Sequence, residues 1–159
     1  MSTQYQAGYK FIALREHIES CVGENISKRL QTEMVDLEII MGAKHQGNGV
    51  DLFNQLYDAE FYFDRFPFKE YSPAKLFAQF VAWLMDNDPD REELGVPDPE
   101  VSITVQSETE AIIVVTVGFE EPVKIQEDIN GDLEWCGKKW RVDGYPIHIA
   151  ENLIDVVKQ

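Results

Sequence analysis

The run Gly42-Ala43-Lys44-His45-Gln46-Gly47-Asn48-Gly49 is the first stretch of this chain with residue types suited to chemistry. The backbone N–H groups of a glycine-rich loop can cradle a phosphate. A P-loop, however, needs Lys and then Ser or Thr after its last glycine, and here Asn48 and Gly49 follow Gly47. The run therefore reads as a surface loop of residues that tolerate positive φ. Asp86, Asp88 and Asp90 alternate like the first ligands of a calcium loop. Arg91 stands where that loop needs its sharp-turning glycine, and Pro97 where a bidentate Glu must close it, so the segment reads as a solvated linker. His17, His45 and His148 show no H-x-x-x-H or C-x-x-C spacing that would gather them on a metal. Cys21 and Cys136 are tied by no local spacing to each other or to a histidine, which fits a reduced compartment with idle thiols. No serine sits in a G-x-S-x-G elbow, and carboxylates are too many for any two to be singled out as acid and base. The expectation is a protein that is not an enzyme, with no catalytic residue, metal ligand or cofactor.

Charge narrows the partners. The 159 residues carry 29 Asp and Glu against 14 Lys and Arg, a formal net charge of −15. Affinity for nucleic acid comes from Lys and Arg displacing counterions, so such an excess argues against binding DNA or RNA, and equally against an anionic membrane surface. No basic, apolar leader opens the sequence and no apolar run approaches membrane-spanning length, so a soluble protein that stays inside its cell is expected.

The elements that must position these residues centre on Ser72 to Asp86, SPAKLFAQFVAWLMD. Ser72 is a good N-cap and Pro73 suits the first helical turn, where its missing N–H costs nothing. Leu76, Phe77, Phe80, Val81, Trp83 and Leu84 then recur at helical spacing as a wide apolar face that must lie on a sheet, with Trp83 in the core. Ahead of it, Tyr9 to Val22 reads as an amphipathic helix stopped by Gly23, and Met1 to Gly8 as a polar, frayed start. Leu30 to Met41 fits either a strand or a helix; the glycine-rich loop behind it favours the strand. Tyr57 to Phe66 alternates as a strand and Pro67 ends it. After the acidic, proline-rich connector Asp86 to Glu100, Val101, Ile103 and Val105 alternate with Ser102 and Thr104, a strand with one wet face.

Ala111 to Val117 is apolar on both faces and reads as a central strand, reached through a turn at Ser107 to Glu110. Val123 and Ile125 continue the meander beyond Pro122. Asn130-Gly131 is a strong hairpin signal leading into Asp132 to Trp135, and Cys136-Gly137-Lys138 turns again into Lys139 to Val142. Trp135 and Trp140 pack across that hairpin, and Ile149, Leu153, Val156 and Val157 have the spacing of a closing helix. One α+β domain over residues 1–159 follows: a mostly antiparallel sheet of about five to seven strands with two or three helices packed on it.

Ala82-Trp83-Leu84, then Asn87-Asp88-Pro89-Asp90-Arg91, then Gly131-Asp132-Leu133 and Gly137-Lys138-Lys139-Trp140 resemble the GpR-type tail completion proteins of contractile-tailed temperate phages. The resemblance covers roughly residues 52 to 143 and rests on a helix, an acidic linker and hairpins rather than on a catalytic motif. It implies a fold like that of the tail terminators. It also implies a structural role on the virion tail, assembled in the host cytoplasm. The partners would be copies of itself in a hexameric ring, the tail tube protein and the head connector. Contacts between neighbours would then fall on the glycine loop and the acidic linker, with Lys44, His45, Asn48, Asp88, Asp90, Arg91 and Glu92 as candidate side chains. A competing reading of the same acidic, catalytically silent surface is an immunity protein that plugs a basic toxin.

Overall fold

The structure, a computed structural model, describes residues 8–46 and 49–143. Within them the chain forms helices α1 (Tyr9–Val22), α2 (Glu24–Ser27) and α3 (Pro73–Asn87), and a 3₁₀ turn at Pro89–Arg91. The strands are β1 (Leu30–Gln46), β2 (Gly49–Phe66), β3 (Glu100–Val105), β4 (Ala111–Glu127), β5 (Leu133–Trp135) and β6 (Lys138–Val142). All six join one antiparallel sheet in the order β1-β2-β4-β6-β5, with β3 also paired to β4. The expected α+β class, strand count and helix count agree with this. The expected closing helix lies outside the described residues.

The strands condense into two compact units. The first combines residues 8–12, Ile39–Gln55 and 121–143; the second, Ala13–Glu38 and Leu56–Glu120. The second holds the larger core. Along β2 the odd residues Tyr57, Ala59, Phe61 and Phe63 are buried, and along β4 Ala111, Ile113, Val115, Val117 and Phe119. This is the two-residue period of a strand with one covered face. Leu14, Ile18 and Val22 of α1 and Leu76, Phe80 and Leu84 of α3 supply the cover. Phe61 meets Phe80 edge-to-face at 5.0 Å between ring centres, a favoured aromatic geometry. α3 begins as its sequence requires, with the Ser72 hydroxyl accepting a bond from the Lys75 N–H and Pro73 in the first turn.

In the first unit Val50, Ile125 and Trp140 form a small core, with Leu52, Leu133 and Trp135 against it. Trp135 and Trp140 meet at 5.4 Å, and the Trp140 indole N–H donates to the Trp135 carbonyl. The Asn130-Gly131 turn is real, and a side chain at Gly131 would collide with the Trp140 carbonyl oxygen. Glu121 is fully buried here, its carboxylate accepting from the backbone N–H groups of Gly8 at 2.7 Å and Lys10 at 3.1 Å. Those donors belong to the entry of α1, where unpaired N–H groups and the helix dipole favour a negative charge.

Four expectations change. The glycine loop is not a loop up to Gln46: β1 carries on through Gly42, Ala43, Lys44 and His45, and β2 starts again at Gly49. Hairpin pairing supplies what the local composition lacks, and Gly42 takes φ 148, open only to glycine. β4 is one 17-residue strand, so the expected central strand Ala111 to Val117 and the continuation at Val123 and Ile125 are a single element running through Pro122. Trp83 is half-buried rather than central, edge-on to Phe119 at 6.5 Å. β3 is exposed on both faces instead of one.

Candidate interaction surface

The chemistry-bearing residues of the acidic connector do not face solvent together. α3 ends at Asn87, Asp88 folds inward with only 2% of its surface exposed, and Pro89–Arg91 wind into a 3₁₀ turn. The Arg91 guanidinium donates from Nη1 to Asp88 Oδ2 at 2.8 Å and to the Gly118 carbonyl at 3.0 Å, and from Nη2 to the Pro97 carbonyl at 2.9 Å. It also lies over the Phe119 ring at 5.9 Å. Planar Arg suits this post because its fork of donors can serve several acceptors at once while its face rests on an aromatic ring. The connector is thus clamped onto β4 instead of hanging as a solvated linker. Gly118 permits the approach, since a Cβ there would sit 3.2 Å from Val96 Cγ1 and 3.4 Å from Asp58 Oδ1.

Of the residues expected at an interface, Asp88 and Arg91 are therefore engaged with each other and with backbone. Asp90 and Glu92 are exposed on the same turn, and Lys44 is exposed on β1. His45 belongs to β1, and Asn48 lies outside the described residues. The structure does not bring the β1 residues and the connector residues into one compact unit.

Two features escaped the sequence. Between the end of α3 and the connector opens a groove of about 610 Å³ floored by Val81, Leu84, Met85 and Val96, with the carboxylates of Glu92 and Asp98 on its lining. The irregular 3₁₀ turn gave no periodicity from which to see it. The second corrects the reading of Cys21: His17 lies one helical turn before it on α1, with Nε2 3.4 Å from Cys21 Sγ. That i, i+4 spacing was legible. Neither residue lines the groove.

Asp58 faces away from the helices, between the buried positions Tyr57 and Ala59. Its carboxyl is raised above the ordinary aspartate range by burial first, and then by the charges of Asp36, Glu100 and Glu38. This acidic side of the second unit repels phosphate and attracts cations in general. Among the described residues no group of His, Cys, Asp and Glu is arranged to hold a metal ion, and no helix is long and apolar enough to cross a membrane.

Residues 8–144 match the family described as P2 phage tail completion protein R (GpR). The chain is also 33% identical over 110 residues to an uncharacterised 19.2 kDa protein from the rep–hol intergenic region of Haemophilus phage HP1. That alignment covers 69% of this chain and 66% of the phage HP1 protein, slightly under two thirds of its length. No solved structure matches the chain.

Proposed function

The chain belongs to the P2 phage tail completion protein R (GpR) family, and from that premise we propose that it acts structurally in completing a phage tail, capping the tail tube and preparing it for the head. The observation that carries this is the extent of the family match. Residues 8–144 take in every helix and strand described, so the whole fold is engaged rather than one shared motif.

The physical requirement is a particle with two unlike faces. One face must bind the last ring of tube subunits, and the other must withhold the surface on which a further tube ring would add. Head-to-tail contacts that close into a ring provide this, because top and bottom of such a ring are different surfaces. A hexameric ring with the tube protein on one side and a head connector on the other is the arrangement we assign. Assembly takes place in the host cytoplasm, where the tail end acts as template and raises the effective concentration of subunits. Exposed Lys44, Asp90 and Glu92 are side chains available to neighbours. With its charge of −15, the protein would let DNA pass through the ring without holding it.

The test is deletion of the gene from its phage followed by electron microscopy of the lysate. Tails of uncontrolled length, or tails without heads, are expected. Normal particles in normal numbers would overturn the reading, and protection against a co-encoded toxin would replace it with the immunity role.

A further inference from the structure

Taken alone, the second unit is a four-stranded antiparallel sheet, with β1 and β3 as its outer strands and β2 and β4 between them. β3 pairs with β4 residue by residue: Val101 opposite Val115, Ile103 opposite Ile113, Val105 opposite Ala111. Opposed residues of an antiparallel pair share a face. Val101, Ile103 and Val105 therefore lie on the face whose β4 members are all but completely buried. Yet they are 44%, 50% and 67% exposed. The helices' cover stops at β4, and the apolar face runs one strand beyond it.

The opposite edge repeats the situation. Asp36 and Glu38 of β1 act on the Asp58 carboxylate, on the side of the sheet away from the helices. Leu37, which lies between them, is an apolar residue of this edge strand and is 50% exposed. Asp36 itself takes a left-handed φ of 56 within this strand. Long apolar edges are ordinarily blunted by lysine, proline or a covering element, because their open backbone groups recruit another strand. β3 has no lysine or proline, and Leu30 to Glu38 of β1 has neither, its charges being the acids Glu33, Asp36 and Glu38.

We propose that these two edges are each other's partners in neighbouring copies of this chain, with β3 of one subunit pairing to β1 of the next. Strand direction favours this. With four antiparallel strands, β3 runs opposite to β1. A rotation about an axis parallel to the strands keeps directions, so the neighbour's β1 arrives antiparallel to β3. The contact extends the sheet, and it brings the exposed Leu37 of one edge to the exposed apolar row of the other. It uses different surfaces on its two sides and is therefore heterologous, which is the class of contact that closes into a ring. This assignment rests on the ring proposed above and identifies the surface that builds it.

The test uses assembled tails carrying this protein with Cys21→Ser and Cys136→Ser, which removes both native thiols, combined with Leu37→Cys, Ile103→Cys or both. A short bis-maleimide linker is applied to purified tails, and the products are probed with an antibody to the protein. A ladder from dimer upward in the double variant, and a dimer at most from a mixture of the two single variants, is expected. Each single variant alone should give none. Cross-links within either single variant would show a two-fold edge contact and overturn the assignment. Linkage to a tube subunit instead, or no linkage in tails that contain the protein, would also overturn it while leaving the tail role intact. Absence of the protein from the tails would instead defeat the reading on which the assignment rests. A second variant, Ile103→Lys, places a charge on a half-exposed edge residue. It should leave the denaturation midpoint of the isolated protein unchanged and abolish tail completion, whereas Ser102→Lys on the other face should complete tails normally. Normal tail completion by Ile103→Lys would also overturn the pairing.

Discussion

The carboxylate of Glu121 accepts the backbone N–H of Gly8 at 2.7 Å across 113 residues of sequence, with Glu121 fully buried. The contact joins the entry of α1 to the middle of the long strand β4. It puts the carboxyl oxygens of Glu121 where the first turn of a helix presents N–H groups with no partner inside the helix. Glu121→Ala removes the acceptor of the buried Gly8 N–H, an expected loss of about 2–3 kcal/mol. Glu121→Gln keeps one acceptor and should lose less. Urea denaturation of the two variants checks the order, and an alanine variant as stable as the parent would contradict it.

The Asp88–Arg91 pair predicts a sharp contrast within one short segment. Arg91→Ala takes the guanidinium away from a nearly inaccessible carboxylate and from two backbone carbonyls, an expected loss of about 3–5 kcal/mol. Asp90→Ala and Glu92→Ala, on the exposed side of the same turn, should stay within about 0.5 kcal/mol of the parent. Equal effects from all three would mean that the connector is not clamped.

Asp58 predicts a pH dependence of opposite sign to ordinary acid denaturation. Its folded-state pKa is raised above the ordinary 3.8, so the folded protein holds that proton more tightly than the unfolded chain does. Ionisation at this site therefore costs stability. The cost is complete above the folded pKa, shrinks as pH falls through it, and is gone below about 3.8. Asp58→Asn should raise the urea midpoint at neutral pH, with the gain disappearing toward acid pH. A constant gain at every pH would point to packing instead of charge.

Trp83 and Phe80 separate the margin of α3 from its centre. Phe80 is buried against Phe61, and Phe80→Ala should cost about 3–5 kcal/mol through the cavity it leaves. Trp83 is half-exposed and meets the Phe119 ring edge-on, so Trp83→Ala should cost about 1–2 kcal/mol. Denaturation of the two variants side by side gives the ranking.

What the sequence determined by itself is whatever depends on neighbours along the chain. Ser72 and Pro73 begin α3 because a cap and a first-turn proline act within four residues. Alternation marked β2 and β3, and Asn130-Gly131 marked a turn whose glycine is confirmed by the Trp140 backbone against it. The family resemblance was legible too, because it rests on that same local order of helix, linker and hairpins. What only the tertiary structure decided depends on partners far away in sequence. Gly42 to Gln46 became strand because β2 supplies hydrogen bonds that override weak local preference. Asp88 and Arg91 moved from an expected interface to a buried clamp because the carbonyl of Gly118, 27 residues on, accepts from the same guanidinium. Trp83 left the core, and the β3 row remained uncovered, because periodicity shows which residues share a face but not how far the opposing helices extend over it.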